Sequence, residues 1–284
     1  MKKDVNPLSN NPLADSPLPP DNSLSASSAF SVDPWQQLKS FTRARIALGR
    51  VGSSLPTREI LDFGMSHAMA RDAVHLALDV DALCQGLEND GHETLQVHSR
   101  ALDRASYLLR PDFGRKLDDA AISRLQAACP TKPIDFLLVV GDGLSSLAVE
   151  RHVQLLVAEI KSAMPPEWQL GPIVVASQAR VAIADEIGEL MKAKMVAMLI
   201  GERPGLSSPD SLGIYLTYGP RAGMSDADRN CISNVRPEGL NYAPAAKKLL
   251  WLAREAMRLK VSGVALKDES DSTEVEVQPL NLLE

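Results

Sequence analysis

Ile134-Asp135-Phe136-Leu137-Leu138-Val139-Val140 runs directly into Gly141-Asp142-Gly143, and this stretch decides the fold. An apolar run this short, stopped by a glycine turn, predicts a strand covered on both faces. Downstream the pattern alternates: residues 147–163 have helical spacing, 173–176 are apolar, 183–193 are helical, and 195–200 are apolar before Gly201. Strand, helix, strand, helix, strand predicts a parallel sheet with crossover helices. Residues 212–218 offer a fourth strand. A last long helix starts near Pro244 and sets Ala246, Leu249, Leu250, Ala253 and Met257 on one side. No internal repeat of fixed period is visible.

Upstream, residues 35–48 read as a helix with Asp33 as cap and Pro34 at its first position. A second helix begins near Pro56, where Leu61, Met65, Ala68, Met69 and Leu76 share one face and are expected to be core. The predicted organisation is a disordered N-terminal extension over 1–33, rich in serine and in proline (Pro7, Pro12, Pro17, Pro19, Pro20), then a mainly helical region over 34–130. The sheet domain follows over 131–266, and a flexible acidic tail over 267–284.

Composition narrows the function classes. The 284 residues carry 30 basic and 36 acidic side chains, a net charge of −6, which argues against a nucleic-acid clamp driven by charge. Mean hydropathy is −0.08 and no run of 18 uncharged apolar residues occurs, so no membrane span is expected. Cys84, Cys129 and Cys231 lie far apart with no CxxC pair, which argues against a disulfide framework or a zinc cluster and makes a reducing, cytoplasmic setting the default.

In an open parallel sheet, ligands gather at the carboxyl ends of the strands. Three segments qualify here, residues 141–146, 201–205 and 219–233, and they are expected to converge. The first has Ser146 where a dinucleotide fingerprint needs its third glycine, so a tight turn with Ser145 or Ser146 capping the next helix is the simpler reading. No Walker sequence occurs, because Gly49-Arg50-Val51-Gly52-Ser53-Ser54 lacks the lysine. The histidines (His67, His75, His92, His98, His152) form no HExxH and read as single satisfied or exposed side chains. Cys231 has no identified histidine base and reads as a small buried thiol. Arg43, Arg45, Arg50 and Arg58 suit an anion or an acidic partner as well as they suit a solvated face. No complete catalytic centre and no metal site emerges.

Five stretches, in this order, resemble the small subunit (light chain) of ethanolamine ammonia-lyase: Ala44-Arg45-Ile46-Ala47-Leu48-Gly49-Arg50-Val51-Gly52, Leu109-Arg110-Pro111-Asp112-Phe113-Gly114-Arg115-Lys116-Leu117, Asp142-Gly143-Leu144-Ser145, Gly201-Glu202-Arg203-Pro204-Gly205-Leu206 and Arg229-Asn230-Cys231-Ile232-Ser233-Asn234. The resemblance implies an α/β chain with a Rossmann-like, mostly parallel sheet and flanking helices, preceded by an N-terminal helical segment. It also implies a two-chain, adenosylcobalamin-dependent lyase that converts ethanolamine to acetaldehyde and ammonia by a radical mechanism. The large subunit would hold the amine and the catalytic groups, and this chain would supply cofactor-binding surface. Carried over position by position, the cobalamin contacts would be Val181, Glu202 and Cys231, with no catalytic residue on this chain. Asp90-Gly91-His92-Glu93-Thr94-Leu95 ends in leucine where the histidine-ligating cobalamin motif needs glycine, so His92 is not expected to bind cobalt. The family is often housed in bacterial microcompartments, for which the N-terminal extension is a candidate address. Two other classes remain: a stand-alone dinucleotide-dependent oxidoreductase using residues 141–146, and a scaffold whose tails dock shell components.

Overall fold

The structure is a computed structural model that describes residues 30–31, 33–42 and 44–270. Expectations for residues 1–29 and 271–284, and for Arg43, fall outside the described residues. The chain divides into two units, Met1–Asp62 and Phe63–Glu284.

In the first unit β1 (Phe30–Ser31) pairs antiparallel with β2 (Arg50–Val51). Between them lies a 3-10 helix, Pro34–Phe41, whose cap is Asp33: its carboxylate accepts the Trp35 N–H at 2.9 Å. The helix expected over 35–48 is thus shorter and more tightly wound. It stops because Thr42 is extended and because Ala47 and Gly49 take positive φ of 51° and 74°, which no right-handed helix accommodates. Arg45, Arg50 and Arg58 are exposed.

Helix α1 (Thr57–His75) buries only Ala73. Leu61, Met65, Met69 and Leu76, expected to be core, are 67%, 65%, 49% and 46% exposed. That expectation is corrected: helical spacing identifies a shared face, and it does not say that the same chain covers it.

The second unit continues with α2 (Val80–Asn89), β3 (Thr94–His98), α3 (Arg104–Leu109), α4 (Asp119–Ala128), β4 (Ile134–Gly141), α5 (Ser146–Ala163), β5 (Ile173–Ser177), α6 (Ile183–Leu190), β6 (Ala193–Gly201), β7 (Leu212–Tyr218), β8 (Arg229–Val235) and α7 (Tyr242–Leu259). Of the eight β strands among the described residues, six form one mostly parallel sheet, in the order β3-β5-β4-β6-β7-β8. Neighbours are parallel from β3 to β6 and antiparallel from β6 to β8. The strand read at 134–140, its two successors and the strand at 212–218 are all present. β3 and β8 were not foreseen, and β3 draws part of the stretch expected to be mainly helical into the sheet.

Alternation along the central strands builds two cores. Phe136, Leu138 and Val140 point to one face, beneath α5, α7 and α2, with Leu156, Leu249 and Leu87 among the helical contributors. Leu137 and Val139 point to the other, beneath α4 and α6, with Leu125 and Ile187. β7 and β8 are covered on the first face, where Leu212, Ile214, Leu216 and Ile232 join the α5 and α7 core. On their other face Cys231 and Ser233 are exposed. Among the described residues no helix is long and apolar enough to cross a membrane.

Candidate functional site

The usual ligand crevice of such a sheet lies between the carboxyl ends of β4 and β6, and here it is filled by backbone. Gly143 holds φ +56°, and a side chain there would meet the Gly201 carbonyl. A side chain on Gly201 would meet the carbonyls of Ser145 and Asp142. The Leu144 N–H donates to Gly201 O at 2.9 Å. Ser145 caps α5 by accepting the Ala148 N–H at 3.2 Å, and donates its own hydroxyl to Pro209 O at 2.7 Å. The capping role read from sequence is therefore present. Ser145 and Ser146 are fully buried, so the turn leaves no open cradle for a dinucleotide phosphate.

The glycines of two of the motifs thus act by letting main chains meet. Gly114 acts similarly: its missing side chain makes room for Tyr107 and for Arg180 Cγ, and its carbonyl accepts the Arg180 N–H at 2.7 Å. These contacts fix the turn after β5, residues 178–182, which carries Val181. Asp142, 2% exposed, accepts the N–H groups of Ala179 at 2.8 Å and Gln178 at 3.1 Å and pairs with Arg104 at 3.1 Å. Tyr107 donates its hydroxyl to Ala179 O at 3.0 Å, with the Arg104 and Arg180 guanidinium groups 4.8 and 4.3 Å from its ring centre. Gln178 is held at φ 53°, a conformation that costs about 1 to 3 kcal/mol and persists only where surrounding contacts enforce it.

The open surface lies one step further across the sheet, on the face of β7 and β8 that α6 leaves bare. Gly213 and Tyr215 alternate along β7, and Tyr215 pairs in register with Cys231 of β8. Cys231 is exposed, its sulfur 3.3 Å from the Ser233 hydroxyl. The reading of Cys231 as a buried thiol is corrected: β8 is the edge strand, and its residue 231 faces away from the α7 core. Burial first, and then the neighbouring Cys231, push the Tyr215 phenol above its ordinary pKa, so it stays protonated at neutral pH.

Glu202 leaves β6 onto this same surface. Its Oε2 accepts the Ser211 hydroxyl at 2.5 Å and the Asn234 N–H at 3.2 Å. Its Oε1 would lie 3.0 Å from a β-carbon on Gly213 and has no protein donor among the described residues. Val181 and Tyr215 both pack, partly buried, on the core of this face. The structure therefore brings Val181, Glu202 and Cys231 to one side of the sheet. It does not gather the three expected segments. Tyr218 is paired beside Met195, so residues 219–228 leave β7 at the amino end of the parallel strands, and only the far half of β8 returns to the site. Beneath it Arg229 and Asp185, both buried, pair at 2.8 Å and tie β8 to α6.

The face offers one free carboxylate oxygen on a group held by two donors, a phenol, an exposed thiol and a partly buried valine on the adjoining core. Ser211, Gly213 and Tyr215 were missed in the sequence. Tyr215 had a signal in the alternation of Leu212-Gly213-Ile214-Tyr215-Leu216-Thr217. His92 sits at the opposite end of the sheet, beside a cavity of about 380 Å³ that Lys132, Lys161, Ile134 and Leu170 also line. Burial, then Lys161, lower its pKa.

The family model for the ethanolamine ammonia-lyase light chain (EutC) matches residues 32–267. The chain is 56% identical over 246 residues to an ethanolamine ammonia-lyase small subunit of Pseudomonas aeruginosa, covering 86% of this chain and 90% of the relative. It is 55% identical over 254 residues to that of Ralstonia nicotianae, covering 88% and 94%. With that of Pseudomonas syringae pv. tomato it shares 54% over 251 residues, covering 87% and 88%.

Proposed function

The chain belongs to the ethanolamine ammonia-lyase light-chain family, and from that premise we propose that its bare β7–β8 face is this subunit's half of an adenosylcobalamin site completed by the large subunit. The observation that supports this reading is that Glu202 and Cys231 lie on the side of β7 and β8 turned away from the α7 core, with Val181 packed on the core of that same side and Glu202 Oε1 unspent. The sheet with its flanking helices is read as Rossmann-like. When bound, adenosylcobalamin supplies the radical chemistry that converts ethanolamine to acetaldehyde and ammonia.

This chain's own residues bind and orient. Glu202 Oε1 would accept hydrogen bonds from the cofactor's amide groups, while Ser211 and the Asn234 N–H hold its other oxygen so that the carboxylate does not turn away. Val181 covers apolar surface from a turn that Asp142 and Tyr107 immobilise. Cys231 and Tyr215, paired in register on β8 and β7, would line the site that the partner closes against water. The complex is read as cytoplasmic, within a bacterial microcompartment, with the N-terminal extension as address. The filled crevice between Gly143 and Gly201 weighs against the dinucleotide-dependent oxidoreductase.

Mixing the chain with its large subunit and titrating cobalamin by visible absorbance tests the reading. Glu202→Ala is expected to raise the cofactor Kd by about 5- to 100-fold, the range for one lost hydrogen bond to a charged group. An unchanged Kd would overturn the assignment of Glu202, and corrinoid binding that ignores the small chain altogether would overturn the function.

A further inference from the structure

Resting on the two-chain reading above, we propose that the exposed apolar side of α1 between Met65 and Leu76 is the seat of the large subunit. Four of the ten exposed large apolar side chains among the described residues of the second unit, Phe63, Met65, Met69 and Leu76, fall on α1 or directly after it. Met65 and Met69 stand one helical turn apart on α1, and the exposed Leu76 follows directly on the helix's last residue, with exposed Asp72 and buried Ala73 between. A surface helix ordinarily turns such a stripe inward, and an apolar stripe left in the open marks a protein contact. Unbranched methionines suit that use, since they adapt to an irregular partner. Leu102, just before α3, and Leu109, at its end, add two exposed leucines at 88% and 80%, and α3 is tied to the end of α1 by Arg104 Nε donating to Val74 O at 2.7 Å.

Position and charge select the occupant. The Ser146 hydroxyl donates to Leu76 O at 2.8 Å, which fastens the end of α1 to the start of α5, at the carboxyl end of β4. That is the sheet end from which Glu202 emerges, so a partner completing the cofactor site approaches the same end of the sheet as the end of α1. Arg71 and Asp72 neutralise each other at 3.7 Å, which gives an anionic membrane or nucleic acid nothing to hold. The family match begins at residue 32, so the helix is part of what the family shares and not of the N-terminal extension.

The test uses the full chain with its purified large subunit. Met65→Asp/Met69→Asp is expected to weaken association at least about 100-fold by sedimentation velocity, because each charge would be buried unpaired. The urea midpoint and circular dichroism of the variant chain alone stay at wild-type values, since neither side chain is buried in the isolated chain. Leu155→Asp, at a 53% exposed position on α5, leaves association unchanged. Wild-type affinity in the double variant, or a lowered urea midpoint, would overturn the proposal. So would loss of self-association by the chain alone with large-subunit binding intact, which would assign the surface to a second copy. Failure of the wild-type chain to bind the large subunit at all would instead sink the two-chain reading beneath it.

Discussion

Asp142→Asn probes how the candidate surface is held. Asp142 Oδ1 accepts the Ala179 N–H at 2.8 Å, while Oδ2 accepts both the Gln178 N–H and Arg104 Nη1 at 3.1 Å. The carboxylate and guanidinium side chains are 3% and 12% exposed. Asparagine keeps one oxygen, and whichever way its amide is turned an NH2 group then faces a donor. Breaking a buried ion pair from one side costs about 3 to 5 kcal/mol, because the surviving charge is left in a poor solvent. Set against a total stability of about 5 to 15 kcal/mol, the variant stays folded at room temperature but is sharply weakened. The loss concentrates where the bonds were: released from Asp142, Gln178 no longer has to hold its φ of 53°, and residues 178–181 open first. Urea unfolding gives the global cost, and hydrogen exchange at the Ala179 amide gives the local one. Adding Arg104→Met removes the orphaned charge, so the double variant recovers at least about 1 kcal/mol relative to the sum of the single losses. A loss below about 1 kcal/mol, or strict additivity, would refute the view that this pair organises the turn bearing Val181.

Two further outcomes follow from buried groups. Burial raises the Asp185 pKa to about 7 although Arg229 pulls it down; the folded chain therefore binds a proton there that the unfolded chain has shed above about pH 4. That contribution to stability is full below about pH 4 and is lost as the pH rises to about 7, at up to about 1.4 kcal/mol per unit. Asp185→Asn removes the slope, so urea midpoints of parent and variant measured from pH 5 to 7.5 converge or cross, whereas parallel curves would contradict the raised pKa. Cys231 is exposed and Cys84 is 3% exposed, with its thiol pKa pushed up by burial. Maleimide labelling followed by peptide mass spectrometry is expected to modify Cys231 in the native chain and Cys84 only on unfolding; equal rates would show that α2 is not seated on the sheet.

What could be read from the chain follows from where each strand sits. β4, β5 and β6 are covered on both faces, so apart from Asp135 and Lys194 near the starts of β4 and β6 their sequences are apolar runs, and their order along the chain already implies parallel pairing. β3 and β8 close the two edges of the sheet. Thr94-Leu95-Gln96-Val97-His98 alternates but is short and half polar. Arg229-Asn230-Cys231-Ile232-Ser233-Asn234-Val235 does not alternate at all, because its pairing slips between Leu212 and Ile214: Ile232 opposes Ile214 and Val235 opposes Leu212, three residues set against two. The edge that carries the candidate site was thus the least legible strand. Its three proposed contacts came from resemblance, since no spacing joins positions 181, 202 and 231; only the strand order β5-β4-β6-β7-β8 does.

The same logic accounts for α1. Period alone assigns Leu61, Met65, Met69 and Leu76 to one side of a helix, and a core is the natural destination for such a side when the chain is taken as complete in itself. In a subunit that premise fails. Apolar side chains are selected to leave water, and the surface that receives them can be encoded on another polypeptide, in which case the sequence reads as core and the isolated structure reads as exposed. The disagreement between the two readings is informative here because it is local. Leu249, Leu250 and Ala253 of α7 have the same periodicity and are 0%, 2% and 0% exposed. A helix that satisfies the rule for burial and remains exposed, in a chain where another satisfies it and is buried, is what the proposed seat of the large subunit predicts for the isolated chain.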